Sequence, residues 1–400
     1  MKILITTDVF TPTVNGVVTS VLNLRTQLIE RGHDVRILTL SEDNFSRKEE
    51  NVYYIKSFGI KIYPNARATT NFHNKYIEEI INWEPNIIHS QCEFSSFIFA
   101  KMICKKLNIP IIHTYHTMYE CYTHYFTYNK NLGKKVVSSL SRKLLNNVTT
   151  VIAPTQKVEQ VLKDYGIKNN IVTVPTGIKL EKFEQQPTRS EIDELKEELG
   201  IDREKKVLVT IGRLGKEKNV EELLENMKNL LIRDDKLVLL IVGDGPFRNE
   251  LEKNVKKIGI DENVIFTGMI DQQDIHKYYK LGDIFVSASQ SEAQGLTYLE
   301  ALASGLPAVC KDDLCLKKVI INGYDGFVYK SSYEYLEQVE TILNNNNLHN
   351  LMANNARKVA ERYSEKNFGR QIENVYLNQL LESGIFMTQQ RNYASTLSKQ

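Results

Sequence analysis

The sequence contains few cysteines, and they are not spaced as a metal site or a disulfide framework. Five occur in 400 residues, which is an odd number, and no two of them form a CxxC pair. Secreted domains that depend on disulfides usually carry an even number of cysteines, and structural zinc sites usually carry CxxC pairs. We therefore expect free thiols, no zinc site and a cytoplasmic protein.

A long apolar segment is also absent. No apolar run approaches the roughly 18 to 20 residues that span a bilayer, and the first residues, MKILITTDVF, lack the charged-then-apolar plan of a signal peptide. The composition, 42% apolar and 25% charged, is that of an ordinary globular protein. Because 400 residues exceed what one hydrophobic core usually serves, we expect two domains.

The net charge is small but unevenly distributed. It amounts to +2, which gives no reason to expect a nucleic-acid partner. Residues 1–185 contain 23 Lys and Arg against 16 Asp and Glu, whereas the remainder contains 28 against 33. This asymmetry either arises by chance or indicates that the first half meets an anionic partner such as a lipid surface.

The GxGxxG motif of dinucleotide-binding domains is missing, although strand–helix–strand patterns are present. Residues 2–7 and 34–40 predict buried strands, and residues 17–31 predict the helix between them. The loop before this helix contains only Gly16, so a nicotinamide cofactor is disfavoured. The pair Asn15-Gly16 either lets the backbone approach a phosphate closely or forms a plain tight turn.

A second strand–helix–strand series begins at residue 206. The chain therefore predicts an α/β fold with two doubly wound, Rossmann-like domains. The predicted segments are a first domain at 1–186, a charged and polar linker at 187–205, a second domain at 206–363, an apolar-periodic helix at 364–386 and a loosely ordered tail at 387–400.

Residues 291–307, SEAQGLTYLEALASGLP, are predicted to run from a strand end through a loop into a helix. Glu292 lies in the loop and Glu300 on the helix, while the N–H groups of residues 294–297 lie where orphan donors and the helix dipole favour an anion. Carboxylates suit hydroxyls, so this combination indicates a ligand with both sugar and phosphate. The alternative is structural: Glu292 caps the helix and Glu300 is solvated.

Two further features of the first half are candidates for function. His113 and His116 lie near the carboxyl end of a predicted strand, where open α/β sheets place ligands. Residues 133–148 predict an amphipathic helix that either lies on an anionic bilayer or packs as an ordinary core helix. Its predicted apolar stripe is Val136, Val137, Leu140, Leu144 and Leu145, flanked by Lys134, Lys135, Arg142 and Lys143. Residues 41–75, which include a basic and aromatic stretch, are predicted to be irregular.

Several short motifs occur in an order that resembles a known family. They are NGVV at 15–18, GRLGKEKN at 212–219, VGDGP at 242–246, FTG at 266–268 and the stretch 291–307. Together they resemble the family 4 retaining glycosyltransferases of the GT-B fold, over roughly residues 1–382. The subgroup that the sequence resembles most is the bacterial diacylglycerol glucosyltransferases, through GVVTS at 16–20, HTYHTMYE at 113–120, PTGI at 175–178 and EAQGLTYLEA at 292–301.

The resemblance implies a role for each matching residue. Arg213 and Lys218 would grip the donor diphosphate in place of a metal ion, in keeping with the absence of an Asp-x-Asp motif. Glu300 would accept from the ribose hydroxyls and Glu292 from the transferred sugar, while His116 would meet that sugar from the first domain. His113 is expected to be structural. The other implied donor-binding residues are Gly16, Gln294, Gly295, Leu296 and Thr297.

The resemblance also implies the reaction. Two domains would face each other across a cleft, and the helix near residue 364 would cross back to the first domain. Retaining transfer needs no carboxylate nucleophile here, so Glu292 and Glu300 are not expected to be a glycosidase acid–base pair. We expect a hexosyltransferase that moves glucose from UDP-glucose to diacylglycerol at the inner membrane face, without a prosthetic group or metal.

Three alternatives stay open at this point. A family 4 transferase can use a soluble or polysaccharide acceptor instead of a lipid. The chain could bind a sugar nucleotide without catalysis. A dehydrogenase with two Rossmann-like domains is the third, and the missing GxGxxG motif weakens it.

Overall fold

The structure is a computed structural model that describes residues 1–60, 66–121 and 129–384. The chain divides into two compact units: unit 1 comprises residues 1–177 and the residues from 365 onward, and unit 2 comprises residues 178–364. Each unit is built around a sheet of mainly parallel strands that alternate with helices. The predicted fold class of two doubly wound α/β domains is therefore confirmed.

The strands of unit 1 form one main sheet and one short pair. They are β1 (Lys2–Thr6), β2 (Asp34–Leu40), β3 (Arg47–Glu49), β4 (Val52–Ile55), β5 (Phe58–Gly59), β6 (Arg67–Ala68), β7 (Ile87–Ser90), β8 (Ile111–Thr114), β9 (Thr150–Ala153) and β10 (Asn170–Thr173). The main sheet has the order β10-β9-β8-β7-β1-β2-β4-β3, and β3 pairs antiparallel with β4. Ile3, Ile5 and Ile87 are fully buried, as expected for strands covered on both faces.

The helices of unit 1 that precede unit 2 are α1 (Gly16–Glu30), α2 (Lys75–Trp83), α3 (Ser95–Leu107), α4 (Lys130–Leu145) and α5 (Gln156–Asp164). Helix α1 carries polar side chains on its buried face. Asn23 donates to the carbonyl oxygen of Gly177 at 2.9 Å, and Gln27 donates to Oε1 of Glu365 at 3.4 Å. These are the residues at which the chain leaves and re-enters unit 1, so α1 contacts both ends of the interruption.

The prediction that residues 41–75 are irregular is wrong for part of this segment. Strands β3 and β4 lie within it, and β4 extends the parallel sheet beyond β2. The four residues of β4, VYYI, are all buried. They are β-branched or aromatic, and the polar residues around them obscured the signal. Residues 61–65 of the basic and aromatic stretch lie outside the described residues.

Unit 2 has a sheet in which all neighbouring strands are parallel. Its strands are β11 (Lys206–Ile211), β12 (Leu237–Val242), β13 (Val264–Gly268), β14 (Ile284–Ser287), β15 (Ala308–Lys311) and β16 (Gly326–Tyr329), in the order β13-β12-β11-β14-β15-β16. Its helices are α6 (Leu180–Glu184), α7 (Arg189–Glu198), α8 (Val220–Leu231), α9 (Arg248–Ile258), α10 (Ile275–Leu281), α11 (Leu296–Ala303), α12 (Ser332–Leu343) and α13 (Asn346–Ala360).

The segment predicted as a linker, residues 187–205, lies inside unit 2. It contains α7, whose start carries a capping box between Thr188 and Glu191. Ile192 and Leu195 of this helix pack against the core of unit 2. The polar composition of the segment reflects the exposed face of a surface helix, and the boundary between the units falls earlier, at residues 177 and 178.

The last described helix, α14 (Glu365–Glu382), belongs to unit 1. Phe368, Ile372 and Tyr376 are buried in the same core as the strands β1 and β7. The hydroxyl of Tyr376 also lies 2.7 Å from Nδ1 of His89 on β7. The predicted tail at 387–400 lies outside the described residues.

The apolar stripe predicted for residues 133–148 divides between two faces of α4. Val137 and Leu145 are buried, whereas Val136 is 50% and Leu140 is 48% exposed. The prediction of one shared apolar face is therefore wrong. The helix buries the side that carries Val137 and Leu145 and exposes the side that carries Val136 and Leu140. In the part of the chain that the structure describes, no helix is both long enough and apolar enough to span a bilayer.

Candidate active site

The sheet order of unit 2 places two loops at one edge. Strand β11 lies between β12 and β14, so the loops after β11 and β14 open where the order of the strands reverses. Open α/β sheets bind ligands at such switch points. The first loop carries Arg213 and Lys218, and the second carries Glu292 and leads into α11.

The turns after β11 and β12 are locked together by their backbones. The N–H of Gly212 donates to Val242 at 2.9 Å, and the N–H of Leu214 donates to Asp244 at 2.9 Å. A Cβ atom at Gly243 would lie 2.1 Å from the carbonyl oxygen of Gly212, so this approach requires glycine. The GDGP motif thus holds the turn that carries Arg213.

Lys218 and Glu292 form an ion pair that joins the two loops. Nζ of Lys218 donates to Oε1 of Glu292, and Oγ of Ser289 donates to the same oxygen at 3.0 Å. Both charged side chains remain partly exposed. The structure thus brings a residue predicted to bind diphosphate together with one predicted to bind sugar.

Arg213 is held by Glu217, a residue to which the sequence assigned no role. Nη2 of Arg213 donates to Oε1 of Glu217, whose side chain is only 3% exposed. A buried carboxylate orients the guanidinium group and compensates its charge. Each of the two predicted diphosphate-binding cations is therefore positioned by a carboxylate.

Gly295 caps the start of α11 in the left-handed conformation, with φ of +75°. A Cβ atom there would lie 2.4 Å from the ring of Tyr298, which is buried and whose hydroxyl lies 3.1 Å from Oγ of Ser287. Gln294 is buried before this cap, and Leu296 and Thr297 begin the helix. These predicted donor-binding residues therefore lie at the helix start, where backbone N–H groups favour an anion.

Glu300 lies on α11 and is half-buried. The hydroxyl of Tyr279 on α10 donates to its Oε2 at 2.7 Å. Burial raises the pKa of Glu300 above its ordinary value, while the Tyr279 hydrogen bond and the charge of Lys182 oppose that rise. The alternative that Glu300 is simply solvated does not fit this environment.

Unit 1 carries the other predicted residues. Gly16 is the first residue of α1, directly after Asn15, whose Oδ1 accepts from the N–H of Val18 at 2.9 Å. His116 follows β8, and its Nε2 lies 2.7 Å from Oε1 of Gln91. Burial and the neighbouring His113 lower the pKa of His116 to about 3, so its imidazole is neutral at neutral pH.

His113 is fully buried at the end of β8. Its Nε2 lies 3.3 Å from Oε1 of Glu93, and the hydroxyl of Tyr119 donates to the other oxygen of Glu93 at 2.5 Å. This network holds the loop after β8 against the loop after β7. The expectation that His113 is structural is consistent with these contacts.

Three residues beside the predicted site residues were missed from sequence: Gln91 in unit 1, and Glu217 and Tyr279 in unit 2. Gln91 directly follows a buried strand, a position at which ligand-binding residues cluster, so that signal was available. The partners Glu217 and Tyr279 are fixed by tertiary packing, which local sequence does not report. In the described residues, no group of three or more His, Cys, Asp or Glu side chains is placed to hold a metal ion.

Gly295→Ala should destabilise unit 2. A left-handed alanine costs about 1 to 2 kcal/mol, and forcing a Cβ into a packed ring adds about 1 to 3 kcal/mol. We therefore expect a clearly lower free energy of unfolding in urea, measured by far-ultraviolet circular dichroism.

Gly200→Ala is the matched control, because Gly200 also has a left-handed φ, +67°, but a Cβ there would meet no atom within 4 Å. It should carry only the backbone cost. Equal destabilisation by both variants would contradict the tight packing of Tyr298 on the loop before α11.

Comparisons with known proteins identify the family. A model described as Glycosyltransferase Family 4 matches residues 14–182, and one described as Glycosyl transferases group 1 matches residues 191–359. The alpha-monoglucosyldiacylglycerol synthase of Streptococcus pneumoniae is 35% identical, over 96% of this chain and 87% of that protein. The protein of the same name from Acholeplasma laidlawii is 28% identical, over 94% of this chain and 97% of that protein.

A solved structure agrees with this assignment at the level of fold. The sucrose-phosphate synthase of Thermosynechococcus elongatus superimposes with a TM-score of 0.77 and 19% identity, over 95% of this chain and 99% of that chain. The resemblance inferred from the sequence motifs is therefore confirmed. The chain belongs to the family 4 glycosyltransferases and is a hexosyltransferase of the GT-B fold.

Proposed function

We propose that the protein is a retaining transferase that moves glucose from UDP-glucose to diacylglycerol at the inner membrane face. The observation that carries this proposal is the Lys218–Glu292 ion pair, because it joins the cation proposed to bind phosphate to the carboxylate proposed to bind a sugar hydroxyl. The shared name of the two relatives, alpha-monoglucosyldiacylglycerol synthase, supports glucose as the sugar and diacylglycerol as the acceptor.

The cations of unit 2 suit a diphosphate leaving group. Arg213 and Lys218 are each held by a carboxylate, Glu217 or Glu292. Prepositioned cations stabilise the negative charge that develops on the departing diphosphate without reorganising during the reaction. The N–H groups at the start of α11 add donors on the loop after β14, which also carries Glu292. These groups support transfer without a metal ion.

The two glutamates suit different hydroxyls of the donor. Glu300 is half-buried beside Tyr279, which leaves its carboxylate able to accept from ribose hydroxyls. Glu292 lies in the preceding loop with Lys218 and Ser289, which suits contact with the transferred sugar. The proposed retaining transfer needs no carboxylate nucleophile, so neither glutamate is assigned the role of a glycosidase acid or nucleophile. In unit 1, His116 is neutral and half-buried after β8, and it is proposed as a contact for a sugar hydroxyl.

Helix α4 of unit 1 is the candidate membrane contact. Leu132, Val136 and Leu140 lie four residues apart on one face and are 53%, 50% and 48% exposed. Lys135 and Lys143 are exposed, and they follow Leu132 and Leu140 by three residues, so each lies beside a leucine on the helix surface. Apolar residues beside lysines suit the surface of an anionic bilayer.

The other two basic residues predicted on this helix have neighbours within unit 1. Nζ of Lys134 lies 3.5 Å from a carboxylate oxygen of Glu120. The Arg142 side chain lies beside Gly166, within 3.6 Å of where a Cβ atom would stand. Lys135 and Lys143 are therefore the better test of a membrane role.

The proposed acceptor is tested with vesicles of phosphatidylglycerol that contain diacylglycerol, together with UDP-glucose labelled in the sugar. We expect the label in the lipid extract, as an α-linked glucoside by nuclear magnetic resonance. Vesicles without diacylglycerol are the control. Label on a water-soluble glycan would favour the polysaccharide alternative, and bound donor without any transfer would favour a non-catalytic protein.

Glu300→Gln should weaken the binding of UDP. Loss of charge-assisted hydrogen bonds to the ribose is expected to cost roughly 1.5 to 3 kcal/mol, measured by titration calorimetry. Glu225→Gln is the matched control, because Glu225 is exposed on α8 of the same unit. An unchanged affinity in Glu300→Gln would remove this residue from the ribose site.

Replacing Lys135 and Lys143 by Gln should reduce sedimentation with phosphatidylglycerol vesicles. Each lysine near such a surface contributes about 1 kcal/mol, so the pair should change the partition coefficient roughly 30-fold at low salt and less at high salt. The control variant replaces Lys105 and Lys106, exposed on α3, with the same loss of charge. An equal effect of both variants would contradict a specific role of α4.

A further inference from the structure

Gln91 is fixed at the carboxyl edge of the sheet in unit 1. It follows β7, and its backbone N–H donates to the carbonyl oxygen of Thr6 on β1 at 2.8 Å. The residue is only 2% exposed. Its Oε1 lies 2.7 Å from Nε2 of His116, which follows the neighbouring strand β8. The parallel pairing of β7 with β8 thus brings the residues that follow these strands to one edge, where Gln91 and His116 form their hydrogen bond.

This hydrogen bond selects one form of the imidazole. A neutral histidine has one N–H donor and one acceptor nitrogen, and an amide oxygen can only accept. Nε2 of His116 therefore carries the proton, which leaves Nδ1 as the acceptor. Because burial and His113 lower the pKa of His116 to about 3, protonation of Nδ1 does not compete near neutral pH.

The amide nitrogen of Gln91 argues on energetic grounds against a purely structural role for this side chain. This nitrogen is buried and has no hydrogen-bond partner among the described residues. A buried donor without a partner lowers stability, so an apolar residue would serve the fold better at this position. The contact with His116 is the polar interaction that the side chain makes in the described structure.

We propose that Gln91 is a positioning residue that holds His116 in the Nε2-protonated tautomer, so that Nδ1 accepts a hydrogen bond from a substrate hydroxyl. The ligand class is an alcohol, such as a hydroxyl of the transferred sugar or of the acceptor. This role rests on the proposed transferase function for its effect on turnover. The tautomer itself is a property of the protein without substrate.

The surroundings of His116 contain other titratable groups that bear on its charge. His89 on β7 and His113 on β8 are buried neighbours, and burial lowers the pKa of His89 well below its ordinary value. Glu93 contacts His113, and Asp8 accepts from the N–H of Ser96 at 2.8 Å nearby. Burial raises the pKa of Asp8 to about 6.

Long-range proton–nitrogen correlation spectra of the full-length, nitrogen-15-labelled protein test the tautomer directly. The signal of His116 is identified among the eight histidines by its loss in His116→Asn. Between pH 6 and 8 we expect the Nε2–H pattern in the natural protein and a mixture of tautomers in Gln91→Met. A wild-type Nδ1–H pattern, or an unchanged tautomer in Gln91→Met, would overturn the proposal.

Steady-state kinetics add a readout that depends on the reaction. Gln91→Met should lower kcat by at least about tenfold with little change in KM. Gln91→Glu keeps an acceptor for Nε2–H and should recover activity above neutral pH. Its carboxylate should raise the pKa of His116, so its rate should fall with decreasing pH, because a protonated imidazole cannot accept. A flat profile equal to that of the natural protein would count against the proposal.

Thr114→Val is the matched control for loss of a buried hydrogen bond at the same edge. Oγ1 of Thr114 lies 2.7 Å from Nε2 of His89, so this change leaves the Gln91–His116 contact in place. It should leave the His116 tautomer unchanged, whatever its effect on stability. If no sugar transfer is found at all, the proposed function fails while the spectra still decide the tautomer.

Discussion

The parallel pairing of β11 with β14 is the constraint on which the candidate site depends. It sets Val209 opposite Phe285, and the loops after both strands therefore begin at one edge. This pairing brings Lys218 within reach of Glu292, which lies 74 residues further along the chain. The Lys218–Glu292 pair and the Arg213–Glu217 pair each balance charge within the unit. The two cations are thereby oriented and only partly solvated, which suits the diphosphate proposed as their ligand.

Environment, rather than residue type, separates the two glutamates of the site. In its loop, Oε1 of Glu292 accepts hydrogen bonds from Lys218 and Ser289. Glu300 is half-buried on a helix and accepts a hydrogen bond from the hydroxyl of Tyr279. Burial penalises the charged form of Glu300, and the Tyr279 hydroxyl restores part of that loss. Two carboxylates eight residues apart in sequence therefore present different acceptors, which is what a ligand with unlike hydroxyl groups requires.

Local patterns predicted much of the fold and the positions of the site loops, but not the partners inside the site. The runs at β1, β2, β11 and β12 and the helix at α11 carried strong apolar and capping signals. Strand β4 was missed because its four apolar residues lie among charged ones, and the α4 stripe was misjudged because several registers of a helix fit the same residues. Tyr279 on α10 meets Glu300 on α11 through a hydrogen bond between residues 21 positions apart, and no local pattern encodes that contact.

The return of α14 to unit 1 has a consequence for synthesis. Phe368, Ile372 and Tyr376 complete a core whose strands begin at residue 2, yet the ribosome makes them after the whole of unit 2. Unit 2 is continuous in sequence and can acquire its full core as it emerges. Residues 1–177 are therefore made before unit 2 but can complete their core only after α14 has been made, and until then the surface that α14 covers is open.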